Sequence, residues 1–247
     1  MACMRLQFYM PATIEVSTLI ESIFEKSGYA SEICPYFRNS ISCMEIYAAP
    51  FWLRILYPQN LLWRVPTNRR EVFLTFDDGP IPVVTPLVLD ILNRYNVKAT
   101  FFCVGENVQK YPDVFSLLTS GGHAVGNHTF HHLKAWKTKR ENYLSDVEHT
   151  DALVGSRLFR PPHGQLNRRV AVKLKRKYKI VMWSALTGDY NKNLDGEQCL
   201  ALARNNTRPG AIIVFHDSLK ARQRMEYALP LYIEYCLSEG YSFGLLE

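Results

Sequence analysis

Asp77 and Asp78 stand side by side before Gly79-Pro80, and the stretch Asn127-His128-Thr129-Phe130-His131-His132 crowds three imidazoles together. Arg160-Pro161-Pro162-His163-Gly164, Asp189-Tyr190 and His216-Asp217 follow in that order. Side chains of these types do metal and acid–base chemistry. Two adjacent carboxylates repel, so a metal ion or an arginine is needed to keep both ionised at neutral pH. Successive side chains on a strand point to opposite faces, so both carboxylates serve one site only where the chain turns. Gly79-Pro80 supplies that turn. Asp-Asp-Gly alone reads equally as a turn whose Asp caps the next helix. His128 and His132 share one side of a helical turn if the segment is helical. Two imidazoles and one carboxylate leave positions open for water and substrate, as in a catalytic rather than a structural zinc site. No Glu follows His128, so this is not the zinc-protease helix motif. His131 competes as a ligand in the same stretch, whereas His123 and His149 read as structural. Each cluster alone is also compatible with satisfied surface or buried groups.

These clusters need a scaffold that brings them together. From about Glu71 onward, short β-branched or aromatic runs alternate with helical patterns. Strands are expected at residues 72–76, 99–104, 124–125, 180–183 and 212–215, with a last one at 242–243. Helices are expected at 85–95, with Thr85 as N-cap and Pro86 at its first position, and near 141–154, 197–205 and 230–238. Strands buried on both faces and alternating with helices imply a parallel sheet. Six or seven such units fit an α/β fold of the distorted (β/α) barrel type better than an open sheet, and periodicity alone does not decide between the two. The chemically loaded clusters then fall at or just beyond C-terminal strand ends, where parallel α/β folds build their sites. Residues 1–45 break this rhythm, with only a weak helical stretch at 14–25. They read as an N-terminal extension, peripheral or even artefactual up to Cys43, ahead of a catalytic domain at 46–247.

Composition narrows the class. The chain has 247 residues, 47% of them hydrophobic and 13% aromatic. That supports a sizeable core and excludes a disordered protein. No apolar run approaches the roughly 18 residues that a spanning helix needs. The net charge is +6. Arg168, Arg169, Lys173, Lys175, Arg176, Lys177 and Lys179 carry part of it, and they read as a solvated helix face with Val170, Val172 and Leu174 partly inward; the functional alternative is contact with nucleic acid or an anionic glycan. No nucleic-acid motif accompanies them. Cys3, Cys34, Cys43, Cys103, Cys199 and Cys236 form no Cys-x-x-Cys pair. They read as free thiols of a reducing compartment. Residues 1–20 are interrupted by Gln7, Pro11, Thr13 and Glu15. They show no clean signal core, so the expected location is cytoplasmic.

Taken together, Thr75-Phe76-Asp77-Asp78-Gly79-Pro80, His128-Thr129-x-x-His132, Arg160-Pro161-Pro162-His163-Gly164, Asp189-Tyr190 and Ile213-Val214-Phe215-His216-Asp217 resemble the polysaccharide deacetylase family, or NodB-homology domain. The resemblance runs from about Leu62 to Phe243. It implies a distorted barrel and a metal-dependent hydrolase that removes N-acetyl groups from an amino-sugar glycan of chitooligosaccharide or peptidoglycan type. It implies one divalent metal ion, zinc first among the choices, on Asp78, His128 and His132. Asp77 is then the general base, held by Arg160, and His216 is the acid, held by Asp189. The His163 backbone N–H completes the oxyanion site. His163 stands where relatives often carry Tyr, and Tyr190 where they often carry Trp, which bears on the sugar subsite. The alternatives are a hydrolase of another non-peptide C–N bond, in a cyclic amide or ureide, and a non-catalytic carbohydrate-binding relative. The expected partner is a carbohydrate, with no nucleic acid; no oligomeric state follows.

Overall fold

The computed structural model describes residues 47–49, 57 and 60–247. The extension at 1–45, its helical stretch at 14–25, and Cys3, Cys34 and Cys43 lie outside the described residues. Strand β1 (Glu71–Asp77) is buried along nearly its whole length, as its sequence Val-Phe-Leu-Thr-Phe requires. Its side chains alternate. Val72, Leu74 and Phe76 join a large apolar cluster with helix residues, while Phe73 joins a second cluster with Phe102, Leu158, Val181, Ile212 and Leu246. Thr75 and Asp77 share the parity of Phe73 and so point to that second side.

Around β1 run β2 (Thr100–Cys103), β3 (Ala124–Asn127), β4 (Leu158–Phe159), β5 (Lys179–Ile180), β6 (Ala185–Leu186), β7 (Ile212–His216) and β8 (Ser242–Phe243). The sheet order is β5-β4-β3-β2-β1-β7-β6, with β8 on the start of β1, and every ladder is parallel. This is the expected distorted barrel. No ladder joins β5 to β6 among the described residues. Instead the segment around Leu62 bridges to Val181, and Ala48 and Arg64 bridge to Ala185 and Ala211.

The helices are α1 (Val84–Arg94), α2 (Gly105–Lys110), α3 (Pro112–Ser120), α4 (Arg140–Val154), α5 (Arg168–Leu174), α6 (Gly196–Asn205) and α7 (Arg222–Ser238). Helix α6 opens on a capping box between Asp195 and Gln198. Helix α4 closes on Gly155 in the left-handed region, a C-cap that glycine adopts without strain. Several expectations are corrected. The N-cap of α1 is Val83, not Thr85, because the Thr85 hydroxyl is taken by Asp217 and by the Ile81 N–H. Helix α7 starts at Arg222, and Pro230 lies inside it instead of opening it. Burial of Met225, Ala228, Leu229, Tyr232 and Ile233 holds it across the missing N–H. The strand expected at 180–183 is Lys179–Ile180. Strands β4 and β6, two residues each, are too short to show a period. In α5, Val170 and Leu174 are buried one turn apart. Val172, expected partly inward, points out at 56% exposure. No helix among the described residues is long and apolar enough to cross a membrane. Cys103, Cys199 and Cys236 are buried free thiols.

Candidate active site

The register of β1 against its neighbours positions the site. Asp77 pairs with His216 of β7 on one side and with Phe102 of β2 on the other. The acid and the imidazole therefore emerge side by side at the C-terminal edge of the sheet. After Asp77 the chain turns. Asp78 has a φ of 83°. That left-handed conformation reverses the strand alternation and brings the second carboxylate round to the same site. The turn is clamped by Asp217: its Oδ1 accepts from the Gly79 N–H at 3.0 Å, and its Oδ2 accepts from the Thr85 hydroxyl at 2.6 Å. A Cβ at Gly79 would lie 1.9 Å from that same carboxylate. Only glycine fits there. On the other flank the Asn107 amide donates to the Asp78 carbonyl at 2.8 Å.

Asp78, His128 and His132 offer one ligand atom each, and these atoms all lie within 4.8 Å of one another. His132 Nε2 stands 3.2 Å from Asp78 Oδ1 and His128 Nε2 stands 3.9 Å from it. The pairing of the two histidines does not come from a helical turn. Residues 128–132 are an irregular loop in which Thr129 and His132 have φ of 62° and 53°. Loop hydrogen bonds set the rings. His128 Nδ1 bonds the Arg160 carbonyl at 2.8 Å. A ring anchored through Nδ1 leaves Nε2 facing Asp78. His131, the competing ligand, is turned away; its Nδ1 bonds Asp146 Oδ1 at 2.6 Å. Asp146 Oδ2 also accepts the Phe130 and His131 N–H groups, so this buried carboxylate anchors the loop. His149 stacks on Phe130, and buried His123 accepts the Ala99 N–H. Both are structural in this arrangement.

Two hydrogen-bonded carboxylates flank the cluster. Arg160, wholly buried, donates from Nη1 to Asp77 Oδ1 at 2.6 Å and to Thr75 Oγ1 at 2.9 Å, and from Nη2 to the Met182 carbonyl at 3.0 Å. Its guanidinium lies 4.1 Å from the centroid of the Phe102 ring. Asp189 binds His216 twice, accepting the backbone N–H at 2.7 Å and meeting Nδ1 at 2.8 Å. Burial opposes a charge on His216, but the Asp189 carboxylate wins and raises its pKa to about 9. Burial drives His128 the other way, down to about 4, leaving a neutral imidazole at neutral pH. Asp78 is held below the ordinary carboxylate range: burial alone would raise it, and the His132 hydrogen bond with the surrounding imidazoles outweighs that.

His163 sits at a φ of 56°, its ring centroid 4.5 Å from that of His132. Burial first, then the neighbouring His132 and Lys134, lower its pKa to about 3. Its backbone N–H has no acceptor among the described residues, although the flanking Gly164 and Gln165 N–H groups bond Pro161 and Pro162. Tyr190 meets His216 edge-on at 4.9 Å between centroids. The fold thus gathers all nine residues expected at the site. Three supporting residues were not foreseen from sequence: the clamp Asp217, the loop anchor Asp146, and Arg224, which donates to the Asp189 carbonyl at 2.6 Å. Only Asp217 carried a signal, its adjacency to His216.

Residues 64–183 match the family described as polysaccharide deacetylase. A peptidoglycan-N-acetylglucosamine deacetylase of Bacillus cereus is 34% identical over 193 residues, covering 73% of this chain and 88% of the relative. A second enzyme of the same description and organism is 34% identical over 160 residues, 62% of this chain; the match spans 58% of that relative's length. The crystal structure of a peptidoglycan N-acetylglucosamine deacetylase in complex with 4-naphthalen-1-yl-N-oxidanyl-benzamide aligns with a TM-score of 0.71 at 32% identity, covering 80% of this chain and 95% of that one.

Proposed function

This chain belongs to the polysaccharide deacetylase family, whose relatives named above are hydrolases of non-peptide C–N bonds, and we propose that it removes N-acetyl groups from an amino-sugar glycan with the help of a divalent metal. We take residues 46–247 as the catalytic domain. The observation that carries the reading is the strand register of Asp77 with His216 beside the Asp78–His128–His132 cluster.

Asp78, His128 and His132 fit a metal on donor chemistry: one carboxylate and two imidazoles, with His128 neutral and oriented by a backbone carbonyl. Zinc suits that borderline nitrogen and oxygen set. A divalent ion held there supplies Lewis acidity toward the acetamide carbonyl and the attacking water. Asp77 takes the proton from that water, its free lone pairs aimed by the Arg160 contact at Oδ1. The His163 N–H, which has no acceptor among the described residues, hydrogen-bonds the carbonyl oxygen as charge gathers on it. His216 carries a proton on the ring that Asp189 orients and gives it to the departing amine nitrogen from Nε2. Tyr190 walls the sugar subsite beside His216.

The test is acetate release from N-acetylated chitin and peptidoglycan oligomers, with hydantoin-type cyclic amides as the contrasting substrates. Acetate release that disappears on chelation and returns with zinc supports the reading. Turnover of the cyclic amides alone would replace it.

A further inference from the structure

The basic run at residues 168–179 is not absorbed by the site, and its surroundings give it a direction. Arg168, Arg169 and Lys173 are exposed on α5, with Arg169 and Lys173 one turn apart. The turn that precedes α4 packs against the start of α5: the Asn167 amide donates to the Ala135 carbonyl at 2.9 Å. That turn carries Lys134, Lys137 and Lys139. Lys134 lies close enough to His163 to act on it electrostatically, and Lys173 acts on Glu141 in the same way. A band of cations therefore runs from the mouth of the site to the outer face of α5.

Three of the carboxylates near this band are already matched. Glu141 pairs with Arg140 at 2.7 Å, Asp146 with His131 at 2.6 Å and Asp151 with Lys177 at 2.5 Å, and Glu148 acts on Tyr178 at the far end of α5. Lys134, Lys137, Lys139, Arg168, Arg169 and Lys173 have no carboxylate within ion-pair distance among the described residues. Two arginines in the first turn of α5 also stand against the positive end of the helix dipole, an arrangement that local stability does not favour.

We propose that Lys134, Lys137, Arg168, Arg169 and Lys173 form an anion-binding rim that receives carboxylates carried along the glycan, so that the preferred substrate is a carboxylate-bearing strand and not a neutral oligomer. The inference rests on reading the site as one for an acetylated glycan. The rim adds affinity and direction of approach; it takes no part in the bond-breaking step.

The test is equilibrium binding of the full chain to two probes of equal sugar length: a soluble muropeptide tetrasaccharide with free carboxylates, and neutral N-acetylchitotetraose. At about 0.02 M NaCl the charged probe should bind about tenfold more tightly, and the preference should fade by about 0.3 M as screening shortens the reach of the charges. The variant Arg168→Glu/Arg169→Glu/Lys173→Glu should lose the preference; glutamates at 168 and 169 suit the dipole of the first turn, Lys173 lies in the last turn, and thermal unfolding read beside binding shows whether the variant is folded. The control Arg69→Glu/Arg94→Glu/Arg208→Glu changes charge equally at exposed positions, away from the rim, and should keep it. Equal binding of both probes by the unmodified chain overturns the proposal without any need of the variant, and a loss in the control equal to that of the variant overturns it as well. Acetate release is followed in parallel. Preference without acetate from either probe upholds the rim and sinks the deacetylase reading, whereas acetate release without preference sinks the rim alone.

Discussion

Asp217 Oδ1 accepts the Gly79 N–H at 3.0 Å, and through that bond the end of β7 fixes the turn that follows Asp77 and Asp78. The Asp217 N–H returns a bond to the Asp77 carbonyl at 3.2 Å, so the two strand ends are tied in both directions. The carboxylate satisfies two buried donors, the Gly79 N–H and the Thr85 hydroxyl. Removing it strands both, at about 1–3 kcal/mol each. Asp217→Ala should lower the melting temperature and weaken metal affinity together, because Asp78 loses its support. Calorimetry and zinc titration check this; unchanged zinc affinity would show that the turn holds itself. Gly79→Ala should fail in the same way, since its Cβ meets the Asp217 carboxylate.

Arg160 is a buried cation whose loss leaves Asp77 charged and unpaired. Arg160→Met should cost about 3–5 kcal/mol, the usual penalty for breaking one side of a buried pair. Arg160→Lys keeps the charge but cannot reach Asp77, Thr75 and the Met182 carbonyl with one planar fork, so it should recover only part of the loss. Urea unfolding of the three proteins measures the difference.

Asp77 and the metal-ligand set separate by substitution. Asp77→Asn should keep bound zinc and lose roughly two to four orders of magnitude in acetate release, the usual worth of a general base. His128→Ala should lose the zinc itself. Metal content by mass spectrometry, read beside turnover, decides; a normal rate from Asp77→Asn would remove Asp77 from its proposed role.

His216 gives the pH dependence its sign. Its folded pKa of about 9 lies above the ordinary 6.5. The Asp189 contact therefore stabilises the fold fully below pH 6.5 and is lost as pH rises through about 9. In metal-free protein, Asp189→Asn should be clearly destabilising below pH 6.5 and cost little above pH 9, which thermal unfolding across that range measures. As the proposed acid, His216 should also give a rate that falls through about pH 9, and the variant should move that limb to lower pH. A limb that stays in place would assign it to another group.

Residue types at the site, their order along the chain, and the strands long enough to show buried character, β1 and β7 above all, could be read from the amino-acid sequence alone. So could the parallel α/β class, because strands buried on both faces and alternating with helices imply a parallel sheet; the choice of a barrel over an open sheet rests on the family resemblance. Strands β4 and β6 were not legible: two residues carry no period, and β5, equally short, is legible only as part of the longer apolar run at 180–183. Pro230 read as a helix start because the residues that bury its helix are remote in the chain. The convergence of Asp77 with Asp78 and of His128 with His132 arises only in three dimensions. A positive φ at Asp78 bends the chain just ahead of the turn expected at Gly79-Pro80, and positive φ at Thr129 and His132 bends it where spacing suggested a helical turn. Those strained conformations persist because Asp217, Asn107 and Asp146 hold the surrounding backbone. Such contacts join residues far apart in sequence, and no local pattern records them.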